Sequence, residues 1–327
     1  MILFALQKYE AMAAAMVSAL PWLRAGQSQV ARYDNGELHA VVNSPAAFEH
    51  CVVLGSIAPP DEQLLSALLL ADTLKKEGAG RVSALLPYLA YSRQDKDKPG
   101  ESLATALVGR LLAAVGVDEV FTVDVHSDAD QQLFPIPITS FSTARLFADA
   151  LKKYELTGAT IVAPDNGAIA RCEAVKAAAG LTEAGTPYFE KRRTETGITH
   201  VGPIGQVGPQ AVIVDDMLDT GTTLVSACQK LAEAGVREIY ILVTHGLFTG
   251  ERWKQLWSLG VRRIICTDTV PLPVGLDRRG IEVLSIVPLL RQQLERRYSY
   301  ETRSPLSESF GSGPSAGGET RSLQVKS

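Results

Sequence analysis

The stretch AVIVDDMLDTGTTL, residues 211–224, decides the fold. Four apolar residues, Ala211 to Val214, read as a short strand buried on both faces, the habit of parallel sheets. Two carboxylates follow, Asp215 and Asp216, and then a tight turn, Asp219-Thr220-Gly221-Thr222-Thr223. A helix from Leu224 to Glu233 closes near Gly235. Strand, small-residue turn and helix start together build an anion site. Free backbone N–H groups at the helix N-terminus face a phosphate, and the macrodipole adds to them. Gly221 lets the backbone approach closely, and Thr220, Thr222 and Thr223 add hydroxyl donors. Asp215 and Asp216 repel a phosphate, so they must face something else: vicinal sugar hydroxyls or a metal-bound water. The stretch therefore suits a sugar phosphate better than a bare phosphate.

Composition bounds what such a site can serve. A chain of 327 residues has room for two domains, and 46% hydrophobic residues supply ample core. A net charge of −4 gives no nucleic-acid footprint. No apolar run reaches the length of a membrane span. The apolar run Ala11 to Leu20 is short, follows Lys8 and Glu10 and ends in no cleavage site, so it reads as a helix rather than a signal peptide. The four cysteines, Cys51, Cys172, Cys228 and Cys266, are far apart in apolar settings. They read as buried reduced thiols of a cytoplasmic protein.

Strands and helices alternate through the rest of the chain, and polar residues gather at strand ends. Asp34-Asn35-Gly36 marks a turn, read as a hairpin before Leu38 to Val42. The strand Arg81 to Leu86 leads into a long polar loop holding Arg93, Gln94, Lys96 and Lys98. Open α/β sheets place ligands at such strand ends, although an isolated charge run of this kind also reads as a solvated loop. The strand Glu119 to Val123 delivers His126, and the strand Thr160 to Ala163 delivers Asp165. A strand from Tyr188 runs into Lys191-Arg192-Arg193, followed from Thr194 to Pro209 by a segment without core pattern, read as a mobile flap on a cationic base. Further strands are expected at Glu238–Val243, Arg263–Thr267 and Val283–Val287, with a last helix over Leu289–Arg297. From Arg303 the Ser/Gly/Pro-rich tail is expected to be disordered.

The chain also repeats itself. Leu68 to Tyr91 and Val225 to Phe248 share a helix–Gly–strand–loop pattern, as Val117 to Val125 resembles Val261 to Thr269. The difference in offset falls in the loop holding Arg93 to Gly100. Two similar α/β halves follow, divided as residues 1–141 and 142–300 with a tail at 301–327.

With these segments together, the chain resembles the ribose-phosphate diphosphokinase family over Tyr33 to Pro273. The resemblance is carried by Asn35-Gly36-Glu37, Tyr88 to Asp95, Thr122 to His126, Ala163 to Gly167, Lys191 to Arg193 and Val214 to Thr223. It implies two tandem phosphoribosyltransferase-like domains, each a mostly parallel sheet flanked by helices. It also implies roles. Asn35, Gly36, Glu37, Arg93 and Gln94 would bind ATP, on the side of the first domain. Asp215, Asp216, Asp219, Thr220, Gly221, Thr222 and Thr223, with Arg193, would hold ribose 5-phosphate. His126 and Asp165 would serve Mg2+, and Lys191 and Arg193 would be catalytic. The family reaction moves the diphosphoryl group of ATP to the C1 hydroxyl of the sugar and releases AMP. A homo-oligomer is expected as well.

The sequence departs from the family pattern in places. Ala168 and Thr222 stand where Gly is usual, residues 43–50 lack the Gly-rich segment of the regulated class, and the loop after Asp95 is altered. These departures bear on activation by phosphate and inhibition by ADP. A catalytically silent regulatory paralogue and a simple phosphoribosyltransferase are the alternatives. The first is expected to lose Lys191, Arg193, His126 or Asp165, and the second needs only one half.

Overall fold

The computed structural model describes residues 1–126, 129–182, 185–194 and 197–301, with no account of the side chains of residues 129–130, 191–194, 197–200 and 299–301. The first half contains β1 (Ile2–Ala5), α1 (Glu10–Ala19), β2 (Arg24–Ala25), β3 (Ser28–Arg32), β4 (Leu38–Val42), β5 (His50–Leu54), α2 (Glu62–Lys76), β6 (Arg81–Leu86), α3 (Ala104–Ala114), β7 (Glu119–Val123), α4 (Ala129–Leu133) and β8 (Ile138–Phe141). The second contains α5 (Ala144–Lys153), β9 (Thr160–Val162), α6 (Ile169–Ala179), β10 (Tyr188–Thr194), β11 (Gly197–Ile204), β12 (Gln210–Leu218), α7 (Thr222–Glu233), β13 (Glu238–Gly246), β14 (Val261–Thr267), β15 (Ile281–Leu284) and α8 (Val287–Glu301).

Each half builds one parallel sheet. The orders are β2-β1-β5-β6-β7-β8 and β9-β12-β13-β14-β15. The repeat seen in the sequence is therefore a repeat of topology. An antiparallel hairpin interrupts each half, β3–β4 between β2 and β5 and β10–β11 between β9 and β12. Parallel strands need helical crossovers, which cover both sheet faces, so the strands must be apolar on both sides. In β12, Ala211 and Ile213 pack with α7, while Val212 and Val214 pack with α6. All four are fully buried, as are Cys51, Val53 and Leu54 of β5.

The structure corrects several boundaries. The strand expected over 211–214 runs from Gln210 to Leu218 and carries both aspartates within it, because β13 pairs along its length through Leu218↔Gly246. Thr222 and Thr223 belong to the first turn of α7 rather than to the preceding turn. β15 is Ile281–Leu284, where register with β14 fixes it, not Val283–Val287. Of the stretch read as a flap, Gly197–Ile204 form β11, which pairs with β10 from Tyr188↔Ile204 to Thr194↔Gly197, so Lys191 and Arg193 lie along this ribbon toward its turn and not at its base. A two-stranded ribbon satisfies its backbone by cross-strand bonds and needs no apolar periodicity to do so. The four cysteines are free and buried, as expected. The expected disorder beyond residue 301 lies outside the described residues.

The last helix crosses back to the first half. α8 packs beside α1, with Ile286, Leu290, Leu294 and Tyr298 in one cluster with Leu3, Val52, Leu85 and Phe121. Its end is pinned by Glu119, a carboxylate 2% exposed. Arg297 donates to it at 2.6 Å, Ser83 at 2.8 Å and Tyr298 at 3.2 Å, and Arg81 is ion-paired with it at 2.8 Å. A buried charge is tolerated when every lone pair is met in this way. We propose the division between halves near residues 140–143, directly after β8.

A polar seam joins the halves. The hydroxyls of Tyr9 and Ser56 both donate to the carbonyl of Thr269, at 2.9 and 2.6 Å. His245, at the end of β13, is buried, and its Nδ1 lies 2.9 Å from Thr269 Oγ1. Burial lowers its pKa to about 4. An unfolded histidine titrates near 6.5, so the unfolded chain takes up this proton first as pH falls. The stability tied to neutral His245 is complete above pH 6.5 and is lost on the way to pH 4. Between pH 7 and 5 the loss comes to about 2 kcal/mol. Urea unfolding at the two pH values should show a pH slope smaller by that amount in His245→Gln than in the wild type.

Candidate active site

The loops at the carboxyl ends of both sheets line one cleft of about 820 Å³. From the first half come Arg93, Gln94, Lys96 and Lys98 after β6, and His126 after β7. From the second come Asp165, Gly167 and Arg171 after β9, and Asp215 to Leu224 around the β12–α7 junction. The N-termini of α6 and α7 both end at this cleft. Its walls thus carry cations, carboxylates and two positive helix ends, the mixture that a phosphorylated sugar and a nucleotide phosphate chain require.

The β12–α7 turn depends on Gly221. Its φ is +83°, and a Cβ there would lie 2.7 Å from Trp253 Cα and 2.8 Å from Trp253 Cβ. Trp253 is itself buried and packed edge-on against Phe248 at 5.0 Å, so it cannot retreat. The turn is therefore compressed against a rigid aromatic floor. The Thr220 and Thr222 hydroxyls lie 3.1 Å apart at its mouth.

The two aspartates divide their tasks. Asp216 is buried, and His126 Nδ1 lies 2.7 Å from its Oδ2. Burial opposes its ionisation, yet the bond from His126 and the charge of Arg171 hold its carboxyl well below the usual range. Asp215 goes the other way: burial and the neighbouring Asp216 raise its pKa well above normal, and Arg171, 3.9 Å away, offsets this in part. One carboxylate is thus committed to the opposite half, while the other remains a hydrogen-bonding group at the cleft wall. Asp165 caps the 3-10 turn Asn166–Ala168 by accepting from the Ala168 N–H at 3.2 Å.

Opposing site residues also pair across the cleft. Arg93 meets Asp219 at 2.8 Å and donates to the Met217 sulfur. Both members are partly exposed, with side-chain exposures of 50% and 27%. A pair of that kind is worth about 0–1 kcal/mol, so an arriving phosphate exchanges it at little cost.

Not every residue singled out from the sequence reaches the cleft. Asn35, Gly36 and Glu37 occupy the β3–β4 turn, exposed and bonded to one another: Asn35 Nδ2 donates to Glu37 Oε2 at 2.8 Å. They do not line the cleft of their own chain. Their hairpin lies on α2, held by an ion pair between Arg32 and Glu62. Lys191 and Arg193 belong to β10, but their side chains lie outside the described residues. Sequence reasoning missed Arg171. A cation in the first turn of a helix opposes the dipole; such a cation needs nearby carboxylates, and that mismatch in α6 was the available signal.

Comparison with known proteins agrees with this construction. Residues 1–116 match a family model described as the N-terminal domain of ribose phosphate pyrophosphokinase, and residues 168–307 match one described as the phosphoribosyl synthetase-associated domain. The chain belongs to the ribose-phosphate pyrophosphokinase family. It is similar to the ribose-phosphate pyrophosphokinase of Haemophilus influenzae, 31% identical over 297 residues that cover 89% of this chain and 94% of the relative. Ribose-phosphate pyrophosphokinase 1 of Streptococcus pyogenes serotype M1 is 30% identical over 314 residues, 94% of this chain and 97% of its own. Among solved structures, the phosphoribosylpyrophosphate synthetase from Mycobacterium smegmatis superposes with a TM-score of 0.81 at 27% identity, covering 91% of this chain and 99% of that one.

Gly221→Ala tests the built turn. The new methyl meets backbone as well as side chain, and the left-handed φ adds strain of roughly 1–2 kcal/mol. Calorimetric binding of ribose 5-phosphate should weaken at least about tenfold, with a lowered unfolding temperature. Unchanged binding would show that the turn does not hold the phosphate.

Proposed function

We propose that the chain transfers the diphosphoryl group of ATP to the C1 hydroxyl of ribose 5-phosphate, giving phosphoribosyl diphosphate and AMP. The observation that carries this reading is the single cleft that brings the cationic loop after β6 to the sugar-phosphate turn of β12–α7. Asp219 to Thr223 and the α7 N-terminus take the 5-phosphate. Asp215 faces the ribose hydroxyls as an acceptor. Arg93, Gln94 and the lysines of the same loop take the phosphate chain of ATP.

Magnesium fits the donors present. Among the described residues no cluster of three His, Cys, Asp or Glu is preassembled for a metal. Mg2+ is held through one or two protein groups together with substrate phosphates and waters, and Asp165 with His126 at the cleft wall are such groups. Bound there, Mg2+ would neutralise charge developing on the phosphates.

The chain's own residues do the rest. Phosphoryl transfer needs alignment of nucleophile and leaving oxygen and cations on the developing charge, with little covalent help. Lys191 and Arg193, on β10 toward the turn of the β10–β11 hairpin, supply cations from a segment able to close over the reactants. Exclusion of water by that closure protects ATP from hydrolysis. The Asn35–Glu37 turn contributes to ATP binding from a second copy of the chain, since it does not reach the cleft of its own. The reading therefore includes a homo-oligomer. Among the described residues no helix is long and apolar enough to cross a membrane, and the four reduced thiols suit a cytoplasmic setting.

AMP formation from ATP and ribose 5-phosphate tests the reading, and two variants test its division of labour. Lys191→Ala should lower kcat about 10²–10³-fold, as loss of a transition-state contact does, with ribose 5-phosphate binding nearly unchanged. Asp219→Ala should mainly raise the KM for ribose 5-phosphate. Near-normal turnover in Lys191→Ala would remove that lysine from the chemistry.

A further inference from the structure

Asp124 follows directly on β7 and does not line the cleft. Its φ is +41°, a left-handed conformation that a residue with a side chain adopts only at a cost. The cost is met by contacts to the second half of the chain. The Thr143 hydroxyl donates to Asp124 Oδ2, and the Thr244 hydroxyl donates to the same oxygen at 2.5 Å. The Thr143 N–H reaches Oδ1 at 3.3 Å. Both threonines are buried, at 1% and 0% exposure, and their oxygens lie 3.0 Å apart. Both hydroxyls point at one oxygen, so that oxygen must accept twice.

Two residues further on, His126 reaches across to Asp216 at 2.7 Å. The tripeptide Asp124-Val125-His126 is thus fixed to the second half at both ends. Between them, the Val125 N–H donates to Ser140 Oγ at 3.1 Å. If Asp124 relaxed to a negative φ, the chain leaving β7 would change direction and His126 would part from Asp216.

We infer that Asp124, Thr143 and Thr244 form a clamp that positions His126 and sets the spacing between the two halves' shares of the cleft. Asp124 is a positioning residue: its carboxylate faces the seam, and it acts on the reaction only through His126. The role of the clamp in turnover rests on the proposed reaction; its role in orienting the imidazole does not.

Nitrogen–proton correlation spectra of the histidine rings at one fixed pH test it. The chain has five histidines, and His126→Asn assigns the signal in question. In the wild type His126 should show Nδ1 as the protonated nitrogen, bonded to Asp216. The double variant Thr143→Val/Thr244→Val removes both donors at nearly constant volume. It should shift or average the His126 signal and lower kcat by roughly ten- to a hundredfold, with the KM for ribose 5-phosphate within about threefold. Thr143→Ser/Thr244→Ser keeps both hydroxyls and should restore signal and turnover together. Asp124→Asn tolerates the left-handed backbone and replaces the carboxylate by an amide, whose NH2 must face either the two hydroxyls or the Thr143 N–H. It should reproduce the loss if the valine pair fails to fold. A folded valine pair or Asp124→Asn whose His126 signal is unchanged overturns the clamp, whatever its turnover. A wild-type chain that forms no AMP overturns the reaction, while the imidazole signal still decides the clamp.

Discussion

All strands of each sheet run one way, and that constraint shapes the rest. A parallel sheet sends every connection after a strand to the same edge. Two such sheets, with both carboxyl edges lining one cleft, collect the loops after β6, β7, β9 and β12 around a shared space. Neither half alone offers both the cationic loop with Arg93 and the turn with Asp219. The two hairpins precede β5 and β12, the strands that pair with β1 and β9 in their respective halves. In the first half that position carries Asn35 and Glu37; in the second it carries Lys191 and Arg193. Duplication of one topology thus gave two arms that could specialise.

Specialisation requires the halves to hold their spacing. Apolar packing alone is poorly suited to that, because it is non-directional. The seam between the halves is instead built from directed bonds: Tyr9 and Ser56 on Thr269, two threonines on one aspartate. Hydrogen bonds fix distance and angle within narrow limits, and left unmade in a buried site they cost more than they contribute when made. The return of α8 to the first sheet, fastened at Glu119, adds a covalently connected strap between the halves. A cleft that must align two phosphorylated substrates to within an ångström gains from both.

Much of this was legible in the sequence because local chemistry was sufficient to write it. The turn Asp219 to Thr223 announces itself through Gly221 and its hydroxyl neighbours, and the polar residues after β6, β7 and β9 interrupt apolar runs. Other features are set by contacts remote in sequence. β1 is four residues long and becomes a core strand only by pairing with β5. The β10–β11 ribbon draws its order from cross-strand bonding rather than from an apolar stripe. Arg171 lies in the first turn of α6, and its meaning appears only when Asp215 arrives from 44 positions away. No role for Asp124 is legible in the sequence, because its partners lie 19 and 120 residues along. The turn at Asn35 was read correctly as a hairpin, yet its distance from the cleft follows from the docking of that hairpin on α2.

The measurement closest to the central claim is a crystal structure with a non-hydrolysable ATP analogue and ribose 5-phosphate bound together. The account predicts the 5-phosphate in the Asp219–Thr223 turn and the phosphate chain of the analogue on Arg93, released from Asp219. It also predicts the C1 hydroxyl oxygen about 3–3.5 Å from the β-phosphorus, with the Asn35–Glu37 turn of a neighbouring copy at the nucleotide. Arg93 still paired with Asp219 while both ligands are bound, or the nucleotide seated away from the cleft, would contradict it.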